Sequence, residues 1–403
     1  MARDKTRDLR KMGRRNFLKT LAGIGISGAT LKYMTKDALA QVTDNPKKEV
    51  PRLRSLRHKN HREIVEDGKP PEVEPVYDTI PRDKWVETES AFDAERKLNQ
   101  AIRKVDDTGL VVAGVTETTS GHHSQKSIEV RYIERKKPSG KTANPNVSFE
   151  DISEQIPSKV SGTAGEGDNA VTVRDIPVTT KKVTHELQSH YDSEYRPVPG
   201  GCSMECEGDG TATTCTPAYD NDLGEHVIVT AGHAITNVES GHDVEQPTDA
   251  PLWGNHIGTS DKAEWDSGAR HTTFDAATVD LEDGAVNGVG HKYALADDSG
   301  GYKKSIFGQV SWMTIKTMVG EQSYKLSKQG RTTKHAEGHI DWASYTAEVF
   351  ETTAESANGD SGGPHYSTDG ELVLIAGVHG YGANPGSGAT AMEDISNEFN
   401  LTV

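Results

Sequence analysis

The chain has 403 residues, of which only 33% are hydrophobic and 6% aromatic, so a core can form but the surface must be strongly polar. Its formal charge of −16 is unevenly spread: residues 1–60 hold 16 of the 45 Lys and Arg against 5 of the 61 Asp and Glu, about +11, leaving 29 against 56, about −27, to the rest. A body this acidic repels nucleic acid and anionic lipid, which excludes both as expected partners, and it suits a high-salt habitat in which excess carboxylates keep a protein hydrated.

The first segment is read as targeting rather than fold. In "MGRRNFLKTLAGIGISGATLKYMTKDALAQ" a basic run precedes twelve mostly apolar or small residues, Thr20 to Leu31, and "ALA" ends at Ala40. Twelve residues are too few to span a bilayer, and the order of charge, apolar stretch and small residues is that of a secretory signal. Arg14-Arg15 followed by Asn16-Phe17-Leu18-Lys19 resembles a twin-arginine signal, so residues 1–40 predict export of an already folded, extracellular protein without stable membrane insertion once the signal is removed.

Residues 41–92 are rich in Lys, Arg, Glu and Pro with little periodicity, and the expectation is a largely disordered linker. Residues 93–105 place Ala94, Leu98, Ala101, Ile102 and Val105 on one helical face. Strands are expected over 109–118, 126–136 and 169–180, so 93–190 reads as a small α+β unit. The Gly/Pro-rich "RPVPGG" (196–201) leads into a change of texture. Beyond it, short apolar runs are cut by Gly, Asn and Asp with no convincing long helix, the pattern of an all-β sandwich or barrel.

Cys202, Cys206 and Cys215 have no common zinc spacing. In an exported chain a disulfide of Cys202 or Cys206 with Cys215 is expected, the choice between them staying open. "HAEGH" (335–339) has a helical zinc spacing but falls in a turn-and-strand run, and "DND" (220–222) reads as a turn rather than a calcium site. No metal and no cofactor are expected.

Three pieces then combine. "EHVIVTAGHAIT" (225–236) is a β-rich run that breaks at Gly232-His233. "FDAATVDL" (274–281) sets an acid, Asp275, at the head of a strand, with Asp280 as a rival. "NGDSGGPHY" (358–366) carries Ser361 in a glycine-rich turn. A serine hydroxyl needs a base to take its proton, imidazole is such a base near neutral pH, and a buried carboxylate fixes its tautomer. Gly359 lets the backbone turn so that its N–H and that of Ser361 can meet a developing oxyanion, donors worth roughly 3–4 kcal/mol each. Gly362 and Gly363 would keep bulk away from the attacked carbonyl.

"VTAGHA", "FDAA" and "GDSGGP", in this order and spacing, resemble the chymotrypsin-like (trypsin-like) serine peptidases over residues 200–403, within a peptidase domain expected at 191–403. "KQGRTTKHAEGHI" (328–340) resembles the bacterial streptogrisin-like branch. The resemblance implies an all-β catalytic domain of two packed six-stranded antiparallel β-barrels, preceded by a small α+β pro-region or helper domain. His233 would be the general base, Asp275 its orienter and Ser361 the nucleophile of an exported, monomeric endopeptidase acting on polypeptides. It also implies an Arg331–Asp360 ion pair. For specificity, Glu355 matches an acid at a pocket floor and would favour basic residues, whereas His379 in "AGVHGYG", beside Tyr381 and Gly382, would favour acidic ones. A broad preference is the remaining reading. A non-catalytic protein-binding relative and an esterase with the same triad are the alternatives in function.

Overall fold

The computed structural model describes residues 49–403 apart from 107–110, 121–122, 137–141, 144–146, 166–169, 186–193, 207–209, 236–240, 248–254, 266–273, 282–290, 298 and 384–385. The export signal read in residues 1–40 lies outside the described residues.

The N-terminal unit runs β1 (Glu49–His58), α1 (His61–Asp67), β2 (Val73–Pro81), α2 (Arg82–Ile102), β3 (Val111–Ser120), β4 (His123–Lys136), β5 (Thr142–Ala143), α3 (Phe149–Gln155), β6 (Lys159–Ala164) and β7 (Val171–His185). The linker expected over 41–92 is corrected from residue 49 onward: β1 and β2 pair along their whole lengths, and α2 begins at Arg82. Val50, Leu53 and Leu56 are buried in β1 among three arginines. Those charges hid the apolar positions from the sequence pattern, because Arg52 is itself buried and donates to Asp78 and Thr317. In α2 the buried face holds Ala94, Leu98 and Ile102 as expected, but Ala101 and Val105 are exposed; Trp85, Ala91 and Phe92 extend the face toward the N-terminus instead. The strands expected at 109–118, 126–136 and 169–180 are β3, β4 and β7.

The remainder is two β-barrels packed together. The first is an eight-stranded curled sheet, in which β9 (Ser203–Cys206), β10 (Gly210–Thr213), β11 (Thr216–Asp220), β12 (Glu225–Thr230), β13 (Asp243–Glu245), β14 (His256–Glu264), β15 (Ala276–Leu281) and β24 (Leu401–Thr402) follow the path β10-β9-β13-β14-β15-β12-β11-β24. Between the barrels run β8 (Val198–Gly200), β16 (His291–Ala296), β17 (Tyr302–Val310) and α4 (Trp312–Met318). The second barrel is a closed ring of six: β18 (Lys325–Gly330), β19 (Lys334–Ser344), β20 (Val349–Thr352), β23 (Ser387–Ala391), β22 (Leu372–Gly382) and β21 (Pro364–Asp369), which pairs back to β18. Closure leaves no free sheet edge within the ring. The short helix α5 (Met392–Glu398) follows β23.

The N-terminal unit is joined to this body by backbone and core. β1 pairs with β17, and β3 pairs with β19 through Trp342 and Ala343. Ala91, Phe92 and Val115 share one apolar cluster with Val310, Ile315, Leu326 and Phe350 of the second-barrel side. Gly114 lies against the Trp342 indole, where a Cβ would fall 1.9 Å from a ring carbon. At the other end His58 of β1 and His61 of α1 stack with Phe307, close to His226, His291 and Tyr293 of the first-barrel side.

All three cysteines are buried and none is in a disulfide, which corrects the expected bridge. Cys202 Sγ faces Pro199 and Thr214, whereas Cys215 Sγ faces the Gly377 carbonyl of β22, so the two thiols are turned to different neighbours. The "DND" turn carries an ammonium: Lys262 Nζ lies 2.7 Å from Asp220 and 2.9 Å from Asp222. No described helix is long and apolar enough to cross a membrane, and no metal-binding cluster of His, Cys, Asp or Glu occurs among the described residues.

Candidate active site

β12 ends at Thr230, and after Ala231 the chain turns through a single 3-10 turn, Gly232–Ala234, that sets His233 at the end of the strand. Gly232 is required there, since a Cβ would meet the Glu264 and Ala276 carbonyl oxygens within 3 Å. Asp275 precedes β15, the neighbour of β12 in the sheet. Its Oδ1 accepts from the His233 backbone N–H at 2.9 Å and its Oδ2 lies 2.6 Å from His233 Nδ1. The proton of this short contact belongs on Nδ1, which leaves Nε2 free to accept. The Ser361 hydroxyl lies 2.8 Å from Nε2. Thus three residues separated by 42 and 86 positions form one hydrogen-bonded line across the two barrels. Asp275 is 1% exposed and its backbone is fixed by Thr390 of β23, 3.0 Å from its N–H. The rival Asp280 stands opposite Val227, farther along β15.

The serine turn has the geometry an oxyanion site needs. Gly359 has φ 91° and Gly362 φ 88°, both in the left-handed region. Among the described residues neither the Gly359 N–H nor the Ser361 N–H donates within the protein, whereas the N–H groups of Asp360, Gly362 and Gly363 are all used. Two unused adjacent donors beside a serine hydroxyl can stabilise a negative oxygen. The reason for Gly362 and Gly363 differs from the expected substrate clearance: a Cβ on Gly362 would fall 2.1 Å from the Thr213 carbonyl, and one on Gly363 would fall 2.2 Å from that of Gln329. These glycines let the turn press against its own protein.

Asp360 is fully buried beneath the turn, and the expected Arg331 ion pair is corrected: the cation on Asp360 is Lys328 of β18, also fully buried. Lys328 alternates inward on β18, whereas Arg331 follows Gly330 at the strand end, where its backbone N–H donates to Thr213 Oγ1. The "GRTT" segment does hold Asp360, but through the Thr332 and Thr333 N–H groups at 2.9 and 3.0 Å and the Thr333 hydroxyl at 2.6 Å. Ala357 N–H adds a further bond. Burial alone would raise the Asp360 pKa, but Lys328 and these donors hold it below the usual carboxylate value.

On the substrate side, β22 is bonded directly to the serine turn: Gly362 N–H donates to the His379 carbonyl and His379 N–H to that of Gly363. Tyr381, 6% exposed, packs on Gly388 and donates to Glu351 at 3.0 Å, and Gly382 ends β22. The expected specificity residues do not converge. Glu355 is exposed rather than at a buried floor. His379 is buried against His365, with ring nitrogens 3.3 Å apart, and also bonds the Gly388 backbone; burial and Lys328 lower its pKa well below the usual histidine value, so it is a neutral ring engaged with its own protein. Burial likewise lowers His365 to about 3.

Two residues at the site were missed from sequence. Thr213 of β10 donates its N–H to the Ser361 carbonyl at 2.7 Å and its hydroxyl to the Gly359 carbonyl at 2.7 Å, tying the serine turn to the first barrel. Nothing in "GTATTC" signals this. Lys328 lies in the β18 run, where every residue from Leu326 to Gly330 is buried.

No protein-family model matches this chain, and no curated protein matches it in sequence. Among solved structures it is similar to one described as a glutamic acid specific serine protease that uses a novel histidine triad in substrate binding, at 20% identity and TM-score 0.36, covering 51% of this chain and 100% of that one. It is also similar to Cellulomonas bogoriensis chymotrypsin, at 17% identity and TM-score 0.35 over 51% and 98% of the two chains, and to the Nocardiopsis protease NAPase, at 18% and 0.35 over 51% and 98%.

Proposed function

We propose that this protein is an exported serine endopeptidase in which Ser361 attacks the substrate carbonyl, His233 accepts its proton, and Asp275 orients the imidazole. The observation that carries the reading is the continuous hydrogen-bonded line from Ser361 Oγ through His233 to Asp275, at 2.8 and 2.6 Å. In the first half-reaction the Ser361 oxygen forms a bond to the carbonyl carbon while its proton passes to His233 Nε2. The carbonyl oxygen becomes an oxyanion facing the Gly359 and Ser361 N–H groups. Collapse expels the leaving amine, which takes the proton from His233, and leaves an acyl-enzyme. Water then repeats the sequence with His233 as base.

A broad side-chain preference is supported by the exposure of Glu355 and the internal engagement of His379. A peptide-library cleavage profile tests it; a sharp preference for acidic or basic residues contradicts it. The twin-arginine motif supports export of the folded chain to the extracellular space, and the acidic body supports work in concentrated salt. Equal activity and solubility in dilute buffer and in molar salt would contradict the salt reading.

The test of the chemistry is labelling with a fluorophosphonate, followed by peptide mapping. The expected adduct is on Ser361 and is lost in His233→Ala. A folded protein that does not label supports the alternative of a non-catalytic binding relative. Labelling and ester turnover without amide turnover supports an esterase.

A further inference from the structure

Arg131 belongs to β4 of the N-terminal unit, yet its side chain, 4% exposed, reaches into the second barrel. There it forms an ion pair with Glu351 of β20, itself buried, and lies over the Trp342 indole at 4.5 Å from the ring centroid. Glu129 holds its Nε at 2.7 Å. Glu351 in turn accepts the Tyr381 hydroxyl at 3.0 Å. Tyr381 stands two residues beyond His379, whose carbonyl and N–H are bonded to Gly362 and Gly363 of the serine turn. Gly380, between them, passes so close to Asp275 that a Cβ would lie 3.3 Å from its carboxylate. The pairing of β22 with β23 shifts register between His379 and Tyr381, so the ladder is interrupted at this point. Beyond the shift the Tyr381 backbone pairs with Gly388, and its side chain bonds Glu351 through the hydroxyl and packs on Gly388.

We propose that residues 49–185 are a standing part of the working enzyme and that Arg131 is a positioning residue, acting through Glu351 and Tyr381, for the wall along which an extended substrate lies. This rests on the peptidase reading above. Without Arg131, Glu351 would be a buried carboxylate with no ion pair among the described residues. Such a group moves toward water or takes up a proton, and either change alters the bond that holds Tyr381. The serine turn has its own cation, Lys328, within the second barrel, so loss of Arg131 should weaken substrate binding while leaving the nucleophile reactive.

The experiment compares the full wild-type chain with Arg131→Met, Arg131→Met/Glu351→Gln and Tyr381→Phe. It measures kcat and KM on a tetrapeptide amide, the Ser361 labelling rate with a small fluorophosphonate, and the mass-mapped peptides of the labelled species. Arg131→Met should raise KM by about tenfold with kcat and labelling rate within about twofold of wild type, the split expected of lost binding rather than lost chemistry. Tyr381→Phe should raise KM by a similar factor. The double variant, which removes the stranded charge and keeps an acceptor for the tyrosine hydroxyl, should recover most of the loss. The labelled active species should retain peptides from 49–185. The proposal is overturned by an unchanged KM in Arg131→Met, by kcat and labelling falling together with KM, or by an active species that lacks 49–185 and keeps the wild-type KM. If Arg131→Met does not fold, Tyr381→Phe and the double variant decide: an unchanged KM in the former, or a KM in the latter as high as that of Tyr381→Phe, overturns it. Failure of the wild type to label at all counts against the peptidase reading instead.

Discussion

Asp360 and Glu351 are both carboxylates sunk into the second barrel, each held by one buried cation, but the cations come from different parts of the chain. Asp360 is held by Lys328 and by backbone donors of the same barrel. Glu351 is held by Arg131 of the N-terminal unit. The counter-charge beneath the Ser361 turn is therefore internal to the barrel, whereas that of Glu351 comes from a segment that the sequence suggested as a pro-region or helper domain. Proximity to the active site does not say which part of the chain maintains a group; the origin of its counter-charge does.

The largest way to break the comparison is at Lys328. Removing one partner of a buried pair typically costs about 3–5 kcal/mol because the other charge is stranded. Lys328→Met should lower thermal stability sharply and abolish Ser361 labelling, and Lys328→Met/Asp360→Asn should recover part of the stability. Circular dichroism melts with labelling check both.

The N-terminal side has its own pH signature. Glu95 of α2 is 0% exposed and accepts from Ser344 of β19 at 2.7 Å. Burial, opposed by its hydrogen bonds to Ser344, Thr346 and Asn99, raises it to about 7. A carboxyl with a raised folded pKa contributes stability that is present below its unfolded value and lost as pH rises to the folded one. Between pH 4.5 and about 7 the loss is roughly 3 kcal/mol. Glu95→Gln should flatten that fall, so urea unfolding at pH 8 should show the variant at least as stable as wild type. The histidines have the opposite sign. His58 and His291 are lowered to about 3, mainly by burial, so their contribution is full above pH 6.5 and is lost as pH falls toward 3. An N-terminal unit that loosens in acid, read by limited proteolysis of 49–185, fits this; unchanged protection at pH 4 does not.

Thr213 sharpens the other side. Thr213→Val removes the hydroxyl bond to Gly359 and the acceptor for Arg331 N–H, each worth about 1 kcal/mol. A fall in kcat of about tenfold with little change in KM is expected. The smallest effect belongs to Glu355: being exposed, its change to Gln should leave the cleavage profile unaltered, whereas a lost preference for basic residues would restore it to the pocket.

The hydrogen-bonded line of Ser361, His233 and Asp275, the serine turn and the paired β-barrels were legible because such a proposed chemistry confines residue types to short, ordered strings such as "GDSGGP" and "TAGHA". The strands of 49–81 were not, because β1 buries Arg52 against an acid of β2, and no local pattern reports a partner 26 positions away. Lys328 lost out to Arg331 for a related reason. The "GRTT" string located the segment that wraps Asp360 correctly, but which side chain points inward depends on strand alternation up to Gly330 and not on the string. The cysteines misled because export suggested oxidation, while the packing of Cys202 and Cys215 turns their sulfurs to different neighbours.

The most direct test of the central claim is hydrolysis of a peptide amide by the wild-type chain and by Ser361→Ala, with fold checked for both. Turnover in the wild type and a loss of about a millionfold in the variant is the predicted result. Amide cleavage that persists in Ser361→Ala, or a folded wild type that cleaves no amide bond, would contradict it.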